Sequence, residues 1–108
     1  MTDKRIVLTT AGSEEEAGKI ARQLVERGLA ACVNIVPGVE SHYWWKGQLE
    51  QGREVLLLIK TSAEQFDAVS SVVRTKHSYE CPEIVALEPR EIAPAYRQWW
   101  EDEMDASL

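Results

Sequence analysis

The chain has 108 residues, with 12 Lys plus Arg against 18 Asp plus Glu, and a formal net charge of −6 at pH 7. That length predicts a single domain over 1–108 with one core of its own, and an apolar fraction of 44% with 28% charged residues argues against disorder, a fibrous repeat and a disulfide scaffold. A pI near 4.9 leaves no field that would draw a phosphate backbone, so nucleic acid is not expected as a partner.

The first strand is expected near 4–10, where Ile6-Val7-Leu8 forms a continuous apolar run suited to burial on both faces. Gly12 ends it, and Ser13 with Glu16 three residues on gives the capping-box spacing for a helix. The apolar positions Ala17, Ile20, Ala21, Leu24 and Val25 fall on one helical face, and Arg27-Gly28 supplies the stop. From Ala30 to Val36 the chain alternates as a strand, with Ala31, Val33 and Ile35 on one face and Cys32 and Asn34 on the other. Pro37-Gly38 predicts a bulge or bend on an edge strand that resumes at Val39 and runs to about Trp45.

Turn chemistry recurs at Lys46-Gly47-Gln48 and at Glu50-Gln51-Gly52, before an apolar strand from Glu54 to Lys60; together these predict a long antiparallel hairpin. Ser62 and Gln65 repeat the capping-box spacing ahead of a second helix, striped by Phe66, Val69, Val72 and Val73 and ending near His77. The loop 77–82 leads to a short strand from Glu83 to Leu87, and Pro94 opens a last helix with the stripe Tyr96, Trp99, Trp100 and Met104. The resulting β-α-β-β-α-β order predicts an α+β, ferredoxin-like sandwich with an extra C-terminal helix.

The N-terminus lacks a signal-peptide pattern, and the longest apolar run, from Val55 to Ile59, is far too short to span a bilayer. Cys32 and Cys81 form no C-x-x-C pair, so the expectation is a cytoplasmic protein with reduced thiols and no membrane partner. Acidity concentrates at the end: Glu101, Asp102, Glu103 and Asp105 supply four of the negative charges, and a solvated terminus is the plainer account of them than a cation site.

Residues able to do chemistry are few. His42 and His77 are the only histidines, no nucleophile and base pair stands out, and no organic cofactor or enzyme activity is expected. Cys32 sits mid-strand in an apolar segment and reads as a small buried residue. Cys81, in a loop beside Tyr79, Glu80 and Glu83, reads either as structural or as a reactive or metal-binding thiol. The spacings match no zinc motif, and residues 9–13 lack the lysine and repeated glycines of a phosphate loop.

The four Trp residues come as two adjacent pairs. On a strand Trp44 and Trp45 point to opposite faces, so a two-layer sandwich buries only one of them. On a helix Trp99 and Trp100 share a broad stripe with Tyr96. Tyr43, Trp44, Trp45, Trp99 and Trp100 are therefore expected at an interface between copies, which would also cover the edges of the hairpin.

Leu29 to Gly38, Tyr43-Trp44-Trp45-Lys46-Gly47, Ile59-Lys60-Thr61, His77 to Ile84 and Tyr96 to Trp99 together resemble the divalent-cation-tolerance protein family, CutA, in order and spacing over nearly the whole chain. The resemblance implies a homotrimer with hairpins paired between subunits, similar to the PII signalling proteins, and a role in the response to metal ions, copper above all. Of the copper ligands it implies, the positions here read Thr9, Lys76 and His77, so only His77 carries over as a metal ligand. The expected ligand cleft is formed by Tyr79, Cys81 and Glu83 beside His77. A regulatory trimer taking a small anionic metabolite in clefts between subunits is the alternative, with any protein partner unknown.

Overall fold

The structure is a computed structural model that describes residues 3–105. Its elements are β1 (Lys4–Ala11), α1 (Glu14–Glu26), β2 (Cys32–Trp45), β3 (Gln48–Ser62), α2 (Phe66–Lys76), β4 (Val85–Leu87) and α3 (Pro94–Asp105), with a single 3-10 turn, Ala63–Gln65, ahead of α2. The four strands form one antiparallel sheet in the order β2-β3-β1-β4.

Helix α1 starts and stops by local chemistry. The Ser13 hydroxyl accepts the Glu16 N–H at 3.1 Å, while the Glu16 carboxylate reaches back to the Gly12 N–H at 3.4 Å, one residue before the cap. At the other end Gly28 adopts a φ of 70°, and the Gly28 and Leu29 N–H groups donate to Val25 and Leu24 carbonyls in a Schellman closure. The expected cap at Ser62 does not form. Ser62 is the buried last residue of β3, the 3-10 turn intervenes, and α2 begins at Phe66 without a side-chain cap.

Sheet register sorts the apolar residues into two faces. Val7, Leu57, Ile59 and Val33 face Ala17, Ile20 and Leu24 of α1 and Val69, Val72 and Val73 of α2, making one core. Val25, at the rim of the α1 stripe, stays exposed. On the opposite face Ile6, Leu8, Leu56 and Leu58 line up with Val36, Val85 and Leu87 and remain partly open to solvent, so β1 is not buried on both faces as its sequence suggests. Helix α3 covers only one end of that face: Trp100 is 2% exposed and donates its indole N–H to the Thr61 carbonyl at 3.0 Å, and Lys4 pairs with Glu101 at 3.7 Å. The acidic residues 101–105 are thus part of a helix.

The hairpin is longer than its sequence suggests. Glu50-Gln51-Gly52 is not a turn but lies within β3, with Gly52 opposite Ser41; the turn is Lys46-Gly47 alone. Lys46 and Gly47 have φ of 50° and 79°, the two positive values of a type I′ turn, whose twist matches that of the strands it joins. The register shifts between Val36 and Val39, where Pro37 and Gly38 form the expected bulge. Beyond Val55 no helix among the described residues covers the hairpin, and the molecule is correspondingly drawn out to 44 × 26 × 22 Å. Its radius of gyration, 14.4 Å, exceeds the roughly 13 Å of a compact chain this long. For this reason neither Trp44 nor Trp45 reaches the core.

Candidate functional site

A cleft of about 710 Å3 opens where the distal hairpin passes the segment 77–84. The hairpin contributes Glu40, Ser41, His42, Tyr43, Trp45 and Glu54, β1 contributes Thr10, and the segment contributes Tyr79, Glu80, Cys81 and Glu83. The expected residues Tyr79, Cys81 and Glu83 therefore do share one cleft; His77 stands behind its wall and is not among the lining residues.

Segment 77–84 has almost no regular structure, and among the described residues Thr10, Glu16, Glu54 and Lys46 hold it from outside. The His77 ring packs with its side chain fully buried; one ring nitrogen, Nε2, bonds the Thr10 carbonyl. Its Nδ1 accepts the Tyr79 N–H at 3.0 Å, which assigns the proton to Nε2. Both nitrogens of His77 are thus engaged within the chain, so a metal at Nδ1 must displace the Tyr79 N–H. Glu16, which also caps α1, accepts the Ser78 N–H through Oε1 at 3.2 Å and places Oε2 3.6 Å from His77 Nδ1. The Tyr79 hydroxyl donates to Glu54 Oε2 at 2.9 Å, bridging the segment to β3. Finally Lys46, at the hairpin turn, pairs with Glu80 at 3.7 Å across the mouth of the cleft.

Gly12 lies beside the Tyr79 ring, where a Cβ would meet it at 3.5 Å, an ordinary van der Waals contact. The Tyr79 phenol is pushed up to about 12, first by burial and then by its hydrogen bond to the Glu54 carboxylate and the charge of that group, so it is a neutral donor at ordinary pH. Burial also raises the phenol of Tyr96, which lies beside Cys32 at the other end of the open face.

The cleft is strongly acidic. Glu40, Glu54, Glu80 and Glu83 line it with His42, whose Nε2 is 2.7 Å from Glu40 Oε2, and no Lys or Arg side chain does so among the described residues. Yet no three His, Cys, Asp or Glu side chains among the described residues gather closely enough to hold a metal ion. Thr9 is buried on the helix-covered face with its hydroxyl unpartnered among the described residues, and Lys76 is exposed at the end of α2, so neither lines the cleft.

The sequence reading did not single out Glu16, Glu40, His42 or Glu54 for the site. Glu40 and His42 carry a visible signal, the i, i+2 spacing that puts two side chains on one side of a strand. Glu54 carries none, because its partner Tyr79 is 25 residues away.

The candidate interface residues divide. Trp44 is 72% exposed, and Leu49 opposite it is 67% exposed, while Tyr43, Trp45, Tyr96 and Trp99 are more than a third exposed. Trp100 differs: it is buried within the fold of the single chain and so is not available to a second copy.

Comparison with known proteins now adds a family. The model of the CutA1 divalent ion tolerance protein family matches residues 5–103. The chain is 47% identical over 96 residues to the divalent-cation tolerance protein CutA of Thermus thermophilus, covering 89% of this chain and 93% of that one. Several other curated relatives are longer, and the chain spans 50–60% of their length. A solved structure of the Thermus thermophilus divalent cation tolerance protein superposes with a TM-score of 0.89 at 45% identity, covering 93% and 97% of the two chains. The Archaeoglobus fulgidus structure described as a periplasmic divalent cation tolerance protein CutA gives 0.89 at 37% identity, covering 94% and 98%. With a family model spanning nearly the whole chain and a relative this similar over nine-tenths of it, the chain belongs to the CutA1 divalent ion tolerance family.

Proposed function

We propose that the chain works as a ferredoxin-like subunit of a PII-like homotrimer that binds a divalent cation, copper among them, as part of the response to metal ions. The observation that carries the cation is the charge of the cleft: four glutamates with His42 and Cys81 offer imidazole, thiol and carboxylate donors in one place. An anionic metabolite, the alternative ligand, meets only repulsion from the same carboxylates.

Donors within one subunit do not converge into a three-ligand set among the described residues. The proposal therefore puts the complete ligand set at the boundary between subunits, beside the unpaired edges of β2 and β4. Support for assembly comes from the half-open apolar face of the sheet and from Tyr43, Trp44, Trp45 and Trp99, all exposed in the subunit. The strand order, with α1 and α2 on one face, supports the ferredoxin-like description. The two free thiols favour a reducing compartment, and we propose the cytoplasm; no helix among the described residues is long and apolar enough to cross a membrane. Binding, with no catalytic step, is the activity proposed.

Copper titration of the parent, His42→Ala, Cys81→Ser and His77→Ala proteins tests this. The reading expects a site weakened by His42→Ala and Cys81→Ser and changed less by His77→Ala, whose ring nitrogens are already bonded. Equal, non-saturating uptake by all four would defeat it.

A further inference from the structure

A cation site that draws on Cys81 and Glu83 needs the irregular segment carrying them to stand in a fixed place. Resting on the divalent-cation reading, we infer that Glu16 is a positioning residue for that site: one carboxylate, shared between the N-terminus of α1 and Ser78, fixes where the segment starts.

The three glutamates in the first turn of α1 are not alike. Glu14 and Glu15 are exposed, and Glu15 pairs with Lys19 on the helix surface at 3.3 Å. The Glu16 side chain is only 17% exposed. A carboxylate drawn this far from water is costly unless N–H donors meet it, and here they come from two separate parts of the chain. In the usual capping box the glutamate closes on the N–H of the cap residue itself. Glu16 instead reaches past Ser13 to the Gly12 N–H through Oε2, at a long 3.4 Å, and turns Oε1 to the Ser78 N–H at 3.2 Å, 62 positions along the chain. The carboxylate thus serves the segment as well as the helix.

Its partner element is rigid. Ala17, Ile20 and Leu24 of α1 are fully buried in the core, so a bond from the first turn of this helix ties the segment to the body of the fold. The Tyr79–Glu54 and Lys46–Glu80 contacts run instead to the hairpin, and the second joins two largely exposed side chains, a kind of pair that holds weakly. His77 bonds the Thr10 carbonyl and accepts the Tyr79 N–H, fixing the residues on either side of Ser78; Glu16 holds Ser78 itself. Cys81 and Glu83 follow within five residues, and Pro82 between them restricts the backbone. The placement of Ser78 therefore carries through to both donors.

Cu2+ titration and amide hydrogen exchange by NMR, on the full-length parent, Glu16→Ala, Glu16→Gln and Gly28→Ala proteins, test the inference. Gly28→Ala is the control: it strains the φ of 70° that closes the far end of α1, destabilising the same helix without touching the segment. Glu16→Ala should lose exchange protection at the Ser78 amide and bind Cu2+ about tenfold more weakly, the loss typical when a group supporting metal ligands is removed. Glu16→Gln, which keeps one carbonyl acceptor, should fall between, and Gly28→Ala should keep both the protection and the affinity of the parent. Unchanged Ser78 protection in Glu16→Ala overturns the inference, as does equal weakening of Cu2+ binding by Glu16→Ala and Gly28→Ala, which would reduce Glu16 to a helix cap. Saturable Cu2+ binding that is the same in parent and Glu16→Ala defeats this inference and leaves the divalent-cation reading standing. A parent protein that takes up no Cu2+ while Glu16→Ala still frees the Ser78 amide defeats that reading, and the positioning role with it.

Discussion

The two faces of the sheet are built from the same strands yet are finished differently. On one, Val7, Leu57 and Ile59 vanish beneath α1 and α2; on the other, Leu8, Leu56 and Leu58, one residue away along the same strands, stay partly open beside the exposed Val36, Val85 and Leu87. Because side chains alternate along a strand, hydrophobic runs such as Val55 to Ile59 load both faces, but the chain supplies two helices for one and only part of a helix for the other. In the proposed trimer, this surplus is what the other two copies would bury. The same contrast runs along the hairpin, whose proximal half carries core residues and whose distal half carries exposed aromatics and the acidic cleft.

Leu57→Ala should break the covered face most severely. Leu57 is fully buried, and such truncations cost about 2–5 kcal/mol; urea unfolding should show this loss at any protein concentration. Leu58→Asp, one residue on, tests the open face: the subunit should keep its circular dichroism while its assembly dissociates, and its thermal midpoint should stop depending on concentration. Ser13→Ala sharpens the account of the covered side, removing the α1 cap at a cost of about 1 kcal/mol, readable as a small shift in the urea midpoint.

Tyr79→Phe is the mildest change. Loss of the Glu54 hydrogen bond at a partly exposed position should cost about 0.5–1 kcal/mol. Its pH signature is more specific. Folding raises the phenol from 10.0 to about 12, so the folded state resists ionisation more than the unfolded one. The contribution is complete below pH 10 and is lost as pH rises towards 12. Parent protein should lose stability through that window relative to Tyr79→Phe, measured by thermal melts at stepped pH; parallel curves would remove the Tyr79–Glu54 bond from the account.

What the sequence disclosed follows the range of the interactions involved. Helix α1 was legible to its caps, since Ser13, Glu16 and Gly28 act within a turn or two. The bulge at Pro37-Gly38 was legible because those residues limit the backbone by themselves. Gly52 misled: a glycine after Glu50-Gln51 signals a turn locally, but twelve paired positions along β2 hold it in a strand. Ser62 misled in the same way, drawn into burial at the end of β3. At the candidate site, Tyr79, Cys81 and Glu83 could be grouped from the sequence because they are close along the chain. The bonds that define the cleft, Tyr79 to Glu54 and His77 to Thr10, join residues 25 and 67 positions apart and leave no periodic trace. The sequence put the hairpin Trp pair on opposite faces of a strand but could not give its burial, which depends on how far the hairpin outruns its helices.

The central claim is that the open face is covered by other copies of the same chain. Native mass measurement on the purified protein at micromolar concentration tests it directly. The account predicts a species of three 12.2 kDa chains that falls to single chains in Leu58→Asp; a parent protein that is monomeric under those conditions contradicts it.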